Sequence, residues 1–252
     1  ENRGLMCMFS MMNNARLAVG HQGIGLGERA YQQAAAFAAD RVQGRVAGMP
    51  EGAPIIHHPD VKRMLMQMRA LTEGGRALSF YAVAAEDRSH HHSDAQQRER
   101  GALWVEMLTP LVKGWCSEVS MEVASLGVQV HGGMGFVEET GAAQHMRDAR
   151  IFPIYEGTNG IQSLDFIGRK CLRDGGEGLS LLLLEIDSTI ATLTSKSPAI
   201  IRLRTALEGS VTDCRAAMAQ VLANPDDAPA VAYSYLMLFG NALCFWLLVV
   251  LA

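Results

Sequence analysis

Apolar residues recur at spacings of three and four over most of the chain, as in Met64, Met68, Leu71 and Leu78, and few stretches show the strict alternation of a strand. The pattern predicts an all-α chain. A first helix is expected over about 9–41, followed by a break of Gly, Pro and Ala over 44–54. A second begins at Pro59 and Asp60, where proline suits the first turn and a carboxylate the positive helix end, and fades near Ser89. A third covers about 96–130, with a kink expected at Pro110. The chain then turns at His131-Gly132-Gly133-Met134-Gly135, and another helix is expected over 157–171. Beyond the break at Asp174-Gly175-Gly176, three more are expected over 179–193, 200–222 and 229–251. Together these predict an up-and-down helical bundle over residues 1–173 with an appended C-terminal helical extension over 174–252.

The composition changes that picture little. The chain has 252 residues, 49% of them hydrophobic, which suffices for a packed core. A net charge of −4 argues against a nucleic-acid binder, because neutralising phosphates needs clustered Lys and Arg. The five cysteines (Cys7, Cys116, Cys171, Cys214 and Cys244) are odd in number, scattered and without a CxxC pair. Neither a disulfide framework nor a zinc site is expected, and a cytoplasmic location fits. His90-His91-His92 reads as a solvated loop between helices, so no metal is assigned. The uncharged run over 228–252 is long enough for a bilayer at ~20 apolar residues. Ser234, Asn241 and the absence of a Lys or Arg cluster beyond it favour a packing or subunit-interface helix, with no membrane partner. The start at Glu1 and the uncapped apolar end lead to the expectation of a fragment. Gly20, Gly23 and Gly27 share one helix face and predict close helix contact. A dinucleotide fingerprint is set aside there, because Glu28 stands where the third glycine belongs and no strand precedes it.

Two segments carry the candidate chemistry. One is Met146-Arg147-Asp148-Ala149-Arg150-Ile151-Phe152-Pro153-Ile154-Tyr155-Glu156-Gly157-Thr158-Asn159-Gly160-Ile161-Gln162, which sets a carboxylate just before a helix start. The other is Val128-Gln129-Val130-His131-Gly132-Gly133-Met134-Gly135-Phe136, with an amide, exposed backbone donors and room for close cofactor approach. In order and spacing they resemble the C-terminal domain of the acyl-CoA dehydrogenase family, with its MRDAxI…IYEGTxxIQ segment preceded by a QxxGGxGF loop. The resemblance covers about residues 4–173. The tail resembles the helical extension of a longer branch that includes methylmercaptopropionyl-CoA dehydrogenases.

The resemblance implies an FAD-dependent enzyme in which Glu156 takes the α-proton of an acyl-CoA thioester while the β-hydrogen leaves as hydride to flavin N5. A carboxylate is normally too weak a base for a carbon acid, so such chemistry requires substrate to displace water around it. The family polarises the thioester carbonyl with the backbone N–H of the glutamate and a ribityl hydroxyl. Relatives that carry the base on the first long helix have it where Ala15 stands, and alanine cannot serve. By the same resemblance Asn13, Arg16 and Gly157 would contact acyl-CoA, although the family usually has an acid at the position of Asn13. Arg41, Gln43, His58, Thr158 and Gly160 would contact FAD, and Gln129, Gly132 and Gly133 would reach it across a subunit interface. An aromatic residue and Gly usually follow the position of Gln43, where this chain has Gly44-Arg45. A homodimer or homotetramer is expected, with electron-transfer flavoprotein as electron acceptor. The N-terminal helical and middle β domains that complete the family's flavin site are absent from the sequence, so weak FAD binding by the fragment alone is expected. The alternative from another class is a catalytically modified binding protein resembling the DNA-alkylation-response relatives.

Overall fold

The computed structural model describes residues 4–251. Among them there is no β-strand, only an isolated antiparallel bridge between Val42 and Pro54 that closes the first interhelical loop. Three long helices make the frame: α1 (Gly4–Asp40), α2 (Pro59–His91) and α3 (Ala95–His131). Pro59 and Asp60 do open α2, and the Asp94 carboxylate caps α3 by accepting the Gln96 N–H at 2.9 Å. Helix α3 continues through Pro110, with the Thr109 hydroxyl donating to Val105 O at 2.6 Å just before it. The His90-His91-His92 tract is not a loop: its first two residues form the last turn of α2, solvent-exposed, and His92 caps it.

Facing residues set the directions of the helices. Gly20 lies against Val112, Gly27 against Val123 and Ala30 against Gly127, so α1 and α3 run parallel. Gly27 also meets Thr72 and Ile24 meets Gly75, which makes α2 antiparallel to both. The glycine face brings the backbones together as expected: a Cβ on Gly20 would lie 2.5 Å from Val112 Cγ1 and 2.7 Å from Val112 O.

The segment read as a plain turn after α3 contains two short helices, α4 (Gly133–Phe136) and α5 (Ala142–Ala149). Next comes α6 (Asn159–Ile167), which continues as a π-helical turn to Leu172. Three helices complete the chain: α7 (Glu177–Thr192), α8 (Pro198–Ala223) and α9 (Ala228–Leu251).

The main core runs across residue 173 without interruption. It joins Leu78, Leu108 and Trp115 to Phe166, Leu182 and Phe239. Helix α9 is wedged against α3 and α6, where a Cβ on Gly240 would fall 2.2 Å from Trp115 Cδ1. Trp115 Nε1 donates to Asn241 Oδ1 at 2.8 Å, and Phe166, Tyr235 and Phe239 form an aromatic cluster with centroids 4.8–5.7 Å apart. By length and composition α9 would suffice to cross a bilayer; in this fold Ala232, Tyr235, Leu236, Phe239 and Leu243 are buried in the core. A smaller cluster of Val19, Ala124, Ala149 and Phe152 seats the loop between α5 and α6.

Candidate functional site

The loop from Arg150 to Thr158 is pinned at several points. Phe152 and Pro153 are buried, and the Tyr155 hydroxyl donates to Gln22 Oε1 on α1. Tyr155 N–H bonds to Ile151 O at 3.1 Å, and Asn159 N–H closes the loop on Pro153 O at 3.0 Å. Thr158 caps α6, its hydroxyl oxygen accepting the Ile161 N–H at 3.3 Å. Between the pins stands Glu156, half-buried, three residues before the helix rather than directly at its start. Its φ is +54°, the left-handed region, and no other non-glycine among the described residues lies there; Gly157 follows at +85°. Side chains in that region are costly, and such corners persist where the surroundings over-determine them. Among the described residues the backbone N–H groups of Glu156, Gly157 and Thr158 form no hydrogen bond, so three successive donors remain free at the corner.

Arg16 on α1 borders this corner. A Cβ on Gly157 would sit 3.8 Å from Arg16 Nη2 and 2.7 Å from Gln162 Nε2. Arg16 Nη1 donates to Asn13 Oδ1 at 3.2 Å. The structure therefore gathers Asn13, Arg16, Glu156, Gly157, Thr158 and Gly160 at one end of the bundle. Arg16 Nε and Gln162 Oε1 are buried without a hydrogen-bond partner among the described residues, and this unused polar capacity beside Gly157 fits a polar ligand. Arg16 lines two clefts. One, of about 580 Å³, also takes in Asn13, Glu86, Pro110 and Lys170; the other, of about 310 Å³, takes in Ile161, Gln162 and Arg169.

Behind the corner lies a group with no counterpart among the candidate residues. Lys113 on α3 is fully buried, and its Nζ donates to Asn159 Oδ1 at 2.9 Å. Burial pushes the ammonium down to about 8, against the pull of Glu118; Arg16 pushes with burial, and Glu156 opposes it. The signal in the sequence was a lone cation within the apolar run Leu108-Thr109-Pro110-Leu111-Val112-Lys113.

The remaining candidates occupy the opposite end. Arg41 Nη2 donates to Gln43 Oε1 at 3.2 Å, and the His58 ring lies 3.2 Å from Gln43 O. Gln129, Gly132 and Gly133 are exposed; a Cβ on either glycine would meet open space, so the backbone there is accessible to a large planar or phosphorylated group. Phe37 stacks on His131 at 4.4 Å and ties the ends of α1 and α3 together. Beside them a groove of about 770 Å³ is bounded by Met121, Val128, Phe136, Met146 and Arg147. Some 36 Å, at about 1.5 Å per residue, separate Arg16 from the end of α1 at Asp40. The candidate residues of one chain therefore fall into two groups rather than one.

Among the described residues no group of three His, Cys, Asp or Glu is placed to hold a metal ion.

Comparison with known proteins bears on both ends. The family model described as acyl-CoA dehydrogenase, C-terminal domain, matches residues 2–172. The 3-methylmercaptopropionyl-CoA dehydrogenase of Ruegeria pomeroyi is 48% identical over an alignment covering 98% of this chain and 43% of that protein. Caenorhabditis elegans ACDH-11, solved in complex with C11-CoA, superposes with a TM-score of 0.79 over 99% of this chain and 41% of its own, at 20% identity. An acyl-CoA dehydrogenase from Bacillus anthracis complexed with FAD superposes with a TM-score of 0.72 over 96% and 42%, at 22% identity. At those identities the two structures speak to the fold. The chain spans about two fifths of each of these relatives. On the match over residues 2–172 and the identity sustained along nearly its whole length, the chain belongs to the acyl-CoA dehydrogenase family, whose C-terminal domain it carries.

Proposed function

We propose that the protein carrying this chain is an FAD-dependent acyl-CoA dehydrogenase in which Glu156 is the base that removes the α-proton of the thioester. One observation carries the reading: a half-buried carboxylate held at a left-handed corner, with unbonded backbone donors on its own residue and the next two, and Arg16 alongside. The donors suit a thioester carbonyl, since negative charge develops on that oxygen as the α-proton leaves. Asn13 and Arg16 line the approach and suit a polar acyl carrier. FAD, when bound, would supply the hydride acceptor for the β-carbon. This chain's part is to place base, carbonyl donors and α-carbon in one geometry and to shed water from them as substrate enters. The acyl-CoA dehydrogenase family model over residues 2–172 and the 48% identity to a 3-methylmercaptopropionyl-CoA dehydrogenase support the choice of substrate class and, with it, of FAD as cofactor.

The far group fits the same reading. Arg41, Gln43, His58, Gln129, Gly132 and Gly133 lie toward the other end of the bundle, where α1 ends at Asp40 some 36 Å from Arg16 at about 1.5 Å per residue. They suit the cofactor of a second copy, which makes the active form a homo-oligomer. Electrons would then pass to an electron-transfer flavoprotein.

The test is an anaerobic panel of acyl-CoA thioesters mixed with the full-length flavoprotein and followed by flavin absorbance. Glu156→Gln should keep its FAD and lose bleaching by roughly 10²–10⁴-fold, the usual worth of a general base. Retained bleaching removes Glu156 from the role.

A further inference from the structure

One side chain ties the Glu156 corner to the bundle. Asn159, the first residue of α6, is 5% exposed and commits its whole amide to α3. Its Oδ1 accepts from Lys113 Nζ at 2.9 Å and Ser117 Oγ at 3.0 Å; its Nδ2 donates to Glu118 Oε1 at 2.8 Å and Gly114 O at 3.2 Å. Its backbone N–H closes the loop on Pro153 O. Moving Asn159 therefore moves both the close of the loop and the start of α6, with Glu156 and Gly157 between them.

Lys113 is the costly member of this arrangement. Among the described residues it has no ion pair within 4 Å, and its hydrogen-bond partner is a neutral amide. A buried ammonium without a close counter-charge is costly even after relaxation, whereas methionine would fill the same space without that cost. The charged groups facing it are Glu118 on its own helix, Arg16 from α1 and Glu156 from the loop, while the Tyr233 hydroxyl of α9 lies against Glu118.

We propose that Lys113 and Asn159 form a positioning pair for the Glu156 corner: the ammonium orients the Asn159 amide, and the amide fixes the first turn of α6 and with it the carboxylate. The proposal rests on Glu156 being the base. It assigns Lys113 no contact with substrate.

The experiment uses the full-length flavoprotein with Lys113→Met, Lys113→Arg, Asn159→Ser and, in parallel, Glu156→Gln. Bleaching rates are measured at saturating acyl-CoA. A displacement of about 1 Å can cost roughly a hundredfold in rate, so Lys113→Met and Asn159→Ser should each slow bleaching about 10- to 100-fold with FAD content retained. Lys113→Arg should recover part of the lost rate. A variant combining Lys113→Met with Asn159→Ser should be little slower than the worse single one, since both act through one contact. A wild-type rate in Lys113→Met overturns the proposal. If that variant loses its FAD, Asn159→Ser decides, because it leaves the cation, Ser117 and Glu118 in place; a wild-type rate there also overturns it. Bleaching by Glu156→Gln removes the base assignment instead, whereas a silent Glu156→Gln with unimpaired variants at 113 and 159 removes only the positioning pair.

Discussion

A glutamate held at φ +54° costs about 1–2 kcal/mol against the right-handed alternative, and at Gly157 a methyl group would press on the end of the Gln162 side chain. Gly157→Ala combines a φ of +85° with a Cβ 2.7 Å from Gln162 Nε2, so it should lower stability by about 1–3 kcal/mol and slow bleaching too. Thermal unfolding and stopped-flow absorbance of the full-length protein check the two effects separately. Lys113 gives a pH-dependent one. Its folded form releases the proton near 8, below the ordinary 10.5, so between those values the unfolded chain binds more protons and the contribution of Lys113 to stability rises with pH. Denaturant unfolding at pH 8 and pH 10 should show wild type gaining on Lys113→Met; a constant difference contradicts this. The corner was legible as chemistry because Tyr155-Glu156-Gly157-Thr158 is a dense local pattern. Lys113 and Asn159 were not, because they meet only through folding, 46 residues apart, and a lone lysine in a helix usually snorkels to solvent.

Among elements, the long helices were readable and the short ones were not. α1, α2 and α3 each repeat the apolar period over ten turns or so, whereas α4 spans four residues and α5 eight, too few for periodicity to separate them from a glycine-rich turn. The glycine face of α1 was readable as well, since its meaning depends only on spacing. Its energetics separate contact from flexibility. Gly20→Ala should destabilise by about 1–3 kcal/mol, because Val112 leaves no space for the new methyl. Gly25→Ala, on the same helix with nothing within 4 Å of its Cβ, should stabilise by about 0.5–1 kcal/mol through helix propensity. Equal effects at the two positions, measured by denaturant unfolding, would mean that the interhelical contact is looser than described.

At the scale of the whole molecule, residues 174–251 behave as part of one core rather than as an appendage. Ending the full-length chain after Arg173 would uncover Trp115, Phe166 and the α3 face that receives Leu236 and Gly240. The shortened protein should aggregate or unfold well below the intact one in a thermal scan; an unchanged midpoint would show that α7–α9 are dispensable. This integration was hidden in the sequence because apolar helices joined by Pro and Gly breaks look alike whether they dock on a neighbour or build its interior. The separation of the two groups of candidate residues has a genetic consequence. If Glu156 serves one cofactor and the Gln129–Gly133 stretch serves another, two different crippled alleles need not be equally crippled together. A Glu156→Gln copy and a copy disabled at Arg41 and Gln129 would each be inert alone, yet mixed assemblies would contain one intact pairing, and co-expression should rescue turnover that neither parent shows.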